Sequence, residues 1–97
     1  MVRGSIDEAD THRRGVRLAG MLAQAGVDTL VMQGPAAEAQ HPLRARRTDL
    51  PSIVATAVPG TSFSSTDGSF RVEVHEDGLR WTAKDAATAQ RIFGGPE

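Results

Sequence analysis

The stretch that most restricts the fold is "SFSSTDGSFRVEVHEDGLRWTA", residues 62–83, in which apolar and polar residues alternate and the pair Asp-Gly occurs twice. Alternation with a period of two marks strands with one buried face, and Asp-Gly suits a two-residue hairpin turn. A turn at Asp67-Gly68 sets Phe63 opposite Val72 and Ser65 opposite Phe70. A turn at Asp77-Gly78 sets Val74 opposite Trp81, Glu73 opposite Thr82 and Val72 opposite Ala83. Both place Phe63, Phe70, Val72, Val74, Leu79 and Trp81 on one face and Arg71, Glu73, His75 and Arg80 on the other. A slip of one residue would mix the two sets. "SIVATAV" (52–58), followed by a turn at Pro59-Gly60-Thr61, is expected as a further strand with Val54, Thr56 and Val58 on the inner face, which completes a four-stranded antiparallel meander.

Helices are expected on either side of this sheet. Ser5 and Glu8 have the spacing of a capping box and predict a helix starting at Ile6. Leu18, Met21, Leu22 and Ala25 recur at i, i+3, i+4 and i+7 on one side of it, and Gly26 stands where a helix C-terminus would end. Asp10, Arg13, Arg17 and Gln24 fall on the opposite side. A second stripe of small residues, Gly15, Ala19 and Ala23, permits close approach of another backbone, either this chain's own or that of a partner helix or second copy. At the other end "TAKDAATAQRIFGG" predicts a helix started by Thr82 or Asp85 and stopped at Gly94-Gly95, with Ala86, Ala89, Ile92 and Phe93 on its apolar side.

Between these parts, "VDTLVMQ" (27–33) is a short apolar run bounded by Gly26 and Gly34, the length of one extra strand. From residue 34 to residue 51 the chain loses all periodicity, carries three prolines, and is expected to form a long loop, with "PAAEAQ" able to make one helical turn. The fold class expected is therefore α+β, in one domain spanning residues 1–97: an N-terminal helix, a four-stranded meander with one extra short strand, and a C-terminal helix.

Several functional classes are narrowed by composition. There is no cysteine, hence no disulfide framework, thiolate metal site or cysteine nucleophile. The three histidines, His12, His41 and His75, lie far apart with no metal-ligand spacing, and "GTSFSS" lacks the second glycine of a serine nucleophile elbow. No residue is assigned a catalytic or metal-binding role, and no cofactor is expected. No apolar run is long enough to span a membrane and the first residues lack a signal-peptide core, so a cytoplasmic setting, or an assembly built there, is expected.

The net charge of -1 argues against a surface tuned as a whole to nucleic acid, yet ten of the eleven basic residues are arginine. Three of them, Arg44, Arg46 and Arg47, crowd into "RARR" within the expected loop. Guanidinium groups grip carboxylate or phosphate in two-pronged fashion. The favoured reading is a non-enzymatic protein-interaction or assembly module, a small subunit of a larger complex or a phage or mobile-element component, with self-association through the helix stripe. The interaction residues are then Arg44, Arg46, Arg47, Gly15, Ala19 and Ala23. Two alternatives stay open: a nucleic-acid-associated regulator using the arginine loop, and a small enzyme with a site between subunits.

Overall fold

Residues 1–34 and 43–94 are described by the computed structural model. In chain order they form β1 (Val2–Ile6), α1 (Thr11–Gln24), β2 (Thr29–Gln33), β3 (Leu43–Arg46), a single 3-10 turn (Arg47–Asp49), α2 (Leu50–Thr56), β4 (Ser62–Ser65), β5 (Phe70–His75), β6 (Gly78–Ala83) and α3 (Ala86–Phe93). The class is α+β, as expected. The layout differs, because a strand precedes the first helix and the sheet holds six strands, all antiparallel, in the order β1-β6-β5-β4-β2-β3.

The two hairpins sort their faces as the alternation requires. Phe63 pairs with Val72, and Phe63, Phe70, Val72, Val74, Leu79 and Trp81 are all buried. The β5–β6 register, however, is Val74 with Leu79, Glu73 with Arg80 and Val72 with Trp81, two residues from the one Asp77-Gly78 predicts. The turn falls on Glu76-Asp77. A shift of two leaves every side chain on its own face, which is why the sorting survives. Gly78 serves another purpose: a Cβ there would run into the carbonyl oxygen of Ile6 in neighbouring β1.

Ser5 does not cap a helix. It lies inside β1, opposite Arg80, and α1 starts five residues later than Ile6, at Thr11, where the Asp10 side chain accepts from the Arg13 N–H at 3.1 Å. An aspartate caps as well as a serine, and pairing of "VRGSI" with β6 decides between them. At the far end the C-terminal turn closes as a Schellman motif, with Gly26 N–H donating to Ala23 O and Val27 N–H to Leu22 O, and Gly26 at φ 75°. Leu18 and Leu22 are fully buried, with Met21 and Ala25 half-buried beside them. Helix α3 also forms as expected, from the Asp85 cap on Thr88 N–H (2.8 Å) to Gly94 at φ 78°; Ala89 and Ile92 are buried, but Thr88 takes the inward place and Ala86 is exposed.

The expected strand at 52–58 is overturned, because residues 50–56 form helix α2. Pro51 sits in its first turn, and Leu50 and Val54, four residues apart, are both buried, so the apolar spacing is that of a helix. Its place beside β4 in the sheet is taken by β2. The long loop at 34–51 is likewise corrected over its described part: residues 43–46 are strand β3 and the chain then winds directly into the 3-10 turn and α2. Four residues of alternation, with Leu43 half-exposed and only Ala45 buried, are too short a pattern to register as a strand. The helical turn expected at 35–40 lies outside the described residues. All three helices contribute to one core with the inner face of the sheet, through Leu18, Leu22, Leu50, Val54, Ala89 and Ile92.

Candidate functional site

Since successive residues of a strand point to opposite faces, the register that buries the core also fixes what the other face displays. One cross-sheet row can be followed through every strand: Arg3 opposite Thr82, Thr82 opposite Arg71, Arg71 opposite Ser64, Ser64 opposite Val31, and Val31 opposite Arg44. With strands about 4.8 Å apart, five intervals make this row about 24 Å long. The row beside it reads Ser5, Arg80, Glu73, Ser62 and Gln33, and Arg46 lies opposite Thr29.

Five arginines therefore share this face with one carboxylate. Arg3, Arg44, Arg46, Arg71 and Arg80 are all exposed. Glu73 is engaged on both oxygens, by Arg71 Nη2 at 3.3 Å and by His75 Nε2 at 3.4 Å. Arg80 reaches Asp77 at the rim, at 3.8 Å. Among the described residues no acidic group pairs with Arg3, Arg44 or Arg46. Two shallow depressions adjoin along β5 and β6: one of about 440 Å³ bordered by Arg3, Arg71, Glu73, His75, Arg80 and Thr82, and one of about 430 Å³ bordered by Ser64, Gly68, Arg71, Glu73, Thr82 and Lys84 among others.

Acidic residues concentrate elsewhere. Asp7, Glu8 and Asp10 lie in the connection from β1 to α1, and Glu76 and Asp77 form the β5–β6 turn. Arg14 binds these two segments together. It is only 3% exposed, and donates from Nε to Glu8 O (2.6 Å), from Nη1 to His75 O (3.1 Å) and from Nη2 to Glu76 O (2.7 Å). A net charge of -1 thus conceals a separation of sign, with a basic face and an acidic end.

The structure divides the six residues picked out from sequence. Arg44 and Arg46 stand on the open face of edge strand β3. Arg47 does not: its Nε and Nη2 hold Asp28 Oδ1 at 3.3 and 3.1 Å, and its N–H donates to Asp28 O at 2.8 Å, which ties the end of β3 to the connection before β2. Gly15, Ala19 and Ala23 are on α1, away from the arginines. Gly15 is buried under α2, where a Cβ would come within 2.6 Å of Leu50 O and Pro51 Cα, so the neighbour it admits is this chain's own second helix. Ala19 is half-buried and Ala23 exposed.

In the sequence, Arg71 and Arg80 fall on the outer face with no sign of a role, and Arg3 is hidden in a segment whose Ser5–Glu8 spacing suits the approach to a helix. Arg14 is hidden as well. A helical arginine beside a second one, in "HRRG", carries no signal that one of the pair turns inward.

Among the described residues, no three His, Asp or Glu side chains are grouped so as to hold a metal ion, and no helix is long and apolar enough to cross a membrane. Comparison of the chain with protein-family models, with curated proteins and with solved structures finds no match in any of the three.

Proposed function

We propose that the chain is a non-enzymatic binding module that engages an anionic partner through the open face of its sheet. The observation that supports this reading is the row Arg3–Thr82–Arg71–Ser64–Val31–Arg44, which carries three guanidinium groups and two hydroxyls across all six strands with no carboxylate in line. Shallow depressions between neighbouring strands spread charge over a wide area and suit a surface contact better than the enclosure of a small substrate. The arginines keep their role from the sequence reading for Arg44 and Arg46, and gain Arg3, Arg71 and Arg80; the stripe on α1 is not part of this surface.

Retention on immobilised heparin tests the reading. At pH 7.5, above the sequence pI of about 6.3, the folded protein is expected to be held at low salt and released as salt rises, while R3E/R44E, both at exposed edge-strand positions, passes through. Wild-type protein that flows through at low salt, or a double variant retained as firmly as wild type, would overturn the proposal.

A further inference from the structure

Resting on that reading, we infer that the anionic partner is a nucleic-acid double helix, held by its phosphates along the row of Arg3, Arg71 and Arg44 without regard to base sequence. Phosphate contacts are made by arginine together with serine and threonine hydroxyls, the residue types that alternate here as Arg3, Thr82, Arg71 and Ser64. The row's length of about 24 Å matches roughly seven base-pair steps at about 3.4 Å each.

The same face is poorly suited to a protein partner. Interfaces between proteins centre on apolar and aromatic anchors, and among the described strand residues Val31 is the one apolar side chain on this face. Single strands are disfavoured for a related reason, since they bind by stacking bases on exposed aromatic rings. Trp81, Phe63 and Phe70 are buried, and Phe93 is stacked on Trp81 and set edge-on to Phe70. What is left is charge and hydroxyl groups on an open surface, which recognise the backbone of a duplex. The acidic end formed by Asp7, Glu8, Asp10, Glu76 and Asp77 repels that backbone and limits how far along the strands it can slide.

Fluorescence anisotropy with a labelled mixed-sequence DNA duplex of about 24 base pairs, titrated with the full chain, tests this. Neutralising three phosphates gives a log-log salt slope of about -2.7, and all five arginines about -4.5, a loss of about 40-fold to 500-fold in affinity between about 50 and 200 mM salt. R3Q/R44Q is expected to flatten the slope by about 1.8, because two phosphate contacts are removed. R13Q/R17Q, which removes equal charge from the exposed side of α1, leaves slope and affinity unchanged, and E73Q, which frees Arg71, tightens binding. Circular dichroism confirms that each variant is folded.

Equal weakening by R13Q/R17Q, or a slope near zero, would overturn the assignment. So would poly-L-glutamate competing as strongly as unlabelled duplex, which would point to an acidic protein instead. Retention on heparin without duplex binding sinks the duplex and leaves the open-face reading standing; failure of both removes both.

Discussion

In α1, Gly15 and Gly20 lie five residues apart and are expected to answer the same substitution with opposite signs. Glycine inside a helix costs about 1 kcal/mol relative to alanine. At Gly20 nothing lies within 4 Å of the added Cβ, so G20A should raise stability by about that amount. At Gly15 the Cβ would press on the backbone of Leu50 and Pro51, and overpacking of about 1 to 3 kcal/mol cancels or exceeds the helical gain, so G15A is expected to lower stability. Urea denaturation of the two variants beside wild type reads both signs. Trp81 is the larger single contributor. Its ring covers Gly4, where a Cβ would collide with the indole, and stacks on Phe93 with centroids 4.3 Å apart and planes 8° from parallel. W81A should cost about 3 to 5 kcal/mol, and native Trp81 fluorescence should be blue-shifted relative to the unfolded chain. Arg14 stabilises by a different means, satisfying three backbone carbonyls with one buried cation. R14M, which keeps the aliphatic stem, strands those acceptors and should cost about 2 to 3 kcal/mol in the same urea measurement.

At the scale of elements, the β4–β5 hairpin holds its turn by side chains as much as by backbone. The Ser65 hydroxyl accepts from Phe70 N–H at 3.1 Å and meets the Ser69 hydroxyl at 3.1 Å, while Asp67 accepts from Ser69 N–H at 3.0 Å. The neighbouring hydroxyls of Ser69 and Ser65, then the Ser69 N–H, draw the Asp67 carboxyl from 3.8 down to about 2. A carboxyl lowered by folding stabilises the native state above its unfolded value and ceases to do so as pH falls through the folded one. Its contribution is thus complete above about pH 4 and fades between about 4 and 2. D67N should remove this share of the pH dependence, visible as a flatter melting temperature across that interval; a pH profile identical to wild type would exclude the turn network as its cause. The helix caps Asp10 and Asp85 are lowered in the same direction, by the N–H groups of Arg13 and Thr88 respectively, and so they contribute to the acid sensitivity that D67N retains. Caps of this kind were legible at Asp85, where no strand competed for the segment. They were misplaced at Ser5, where β6 did.

For the whole molecule, the decisive fact is that the buried apolar side chains of the helices join the inner face of the sheet, leaving the described outer face mainly to arginine, serine and threonine, with Glu73 its one carboxylate. The basic face comes from strands widely separated in sequence: β1, β3, β5 and β6. It therefore exists only in the folded chain. Unfolded in concentrated urea, with the net charge still -1, the protein should lose its retention on heparin, whereas an unfolded chain that binds as well as the native one would show that arginine content alone accounts for any binding. Chloride dependence separates the two cases further, since a face that engages several anionic groups at once responds more steeply to salt than isolated charges do.

From its order of residues alone, the chain determined the α+β class, the division of residues 62–83 into inner and outer sets, the glycine end of α1 at Gly26, and the existence and C-terminal stop of α3, though not which of its residues turn inward. Each of these rests on contacts within a few residues or on a period that repeats through a segment. Tertiary structure decided what such local signals leave degenerate. β5 and β6 can pair in registers two residues apart with identical faces, and the approach of β1 to Gly78 accompanies the one adopted. "LPSIVAT" carries β-branched residues that suit a strand and an i, i+4 pair that suits a helix, and burial of Leu50 and Val54, with the Leu50 backbone against Gly15, goes with the helix. "VRGSI" and "LRAR" become strands because an edge of the sheet is there to receive them. The arginine row follows from those pairings, since neighbours across a sheet are set by hydrogen bonds between strands and not by distance along the chain.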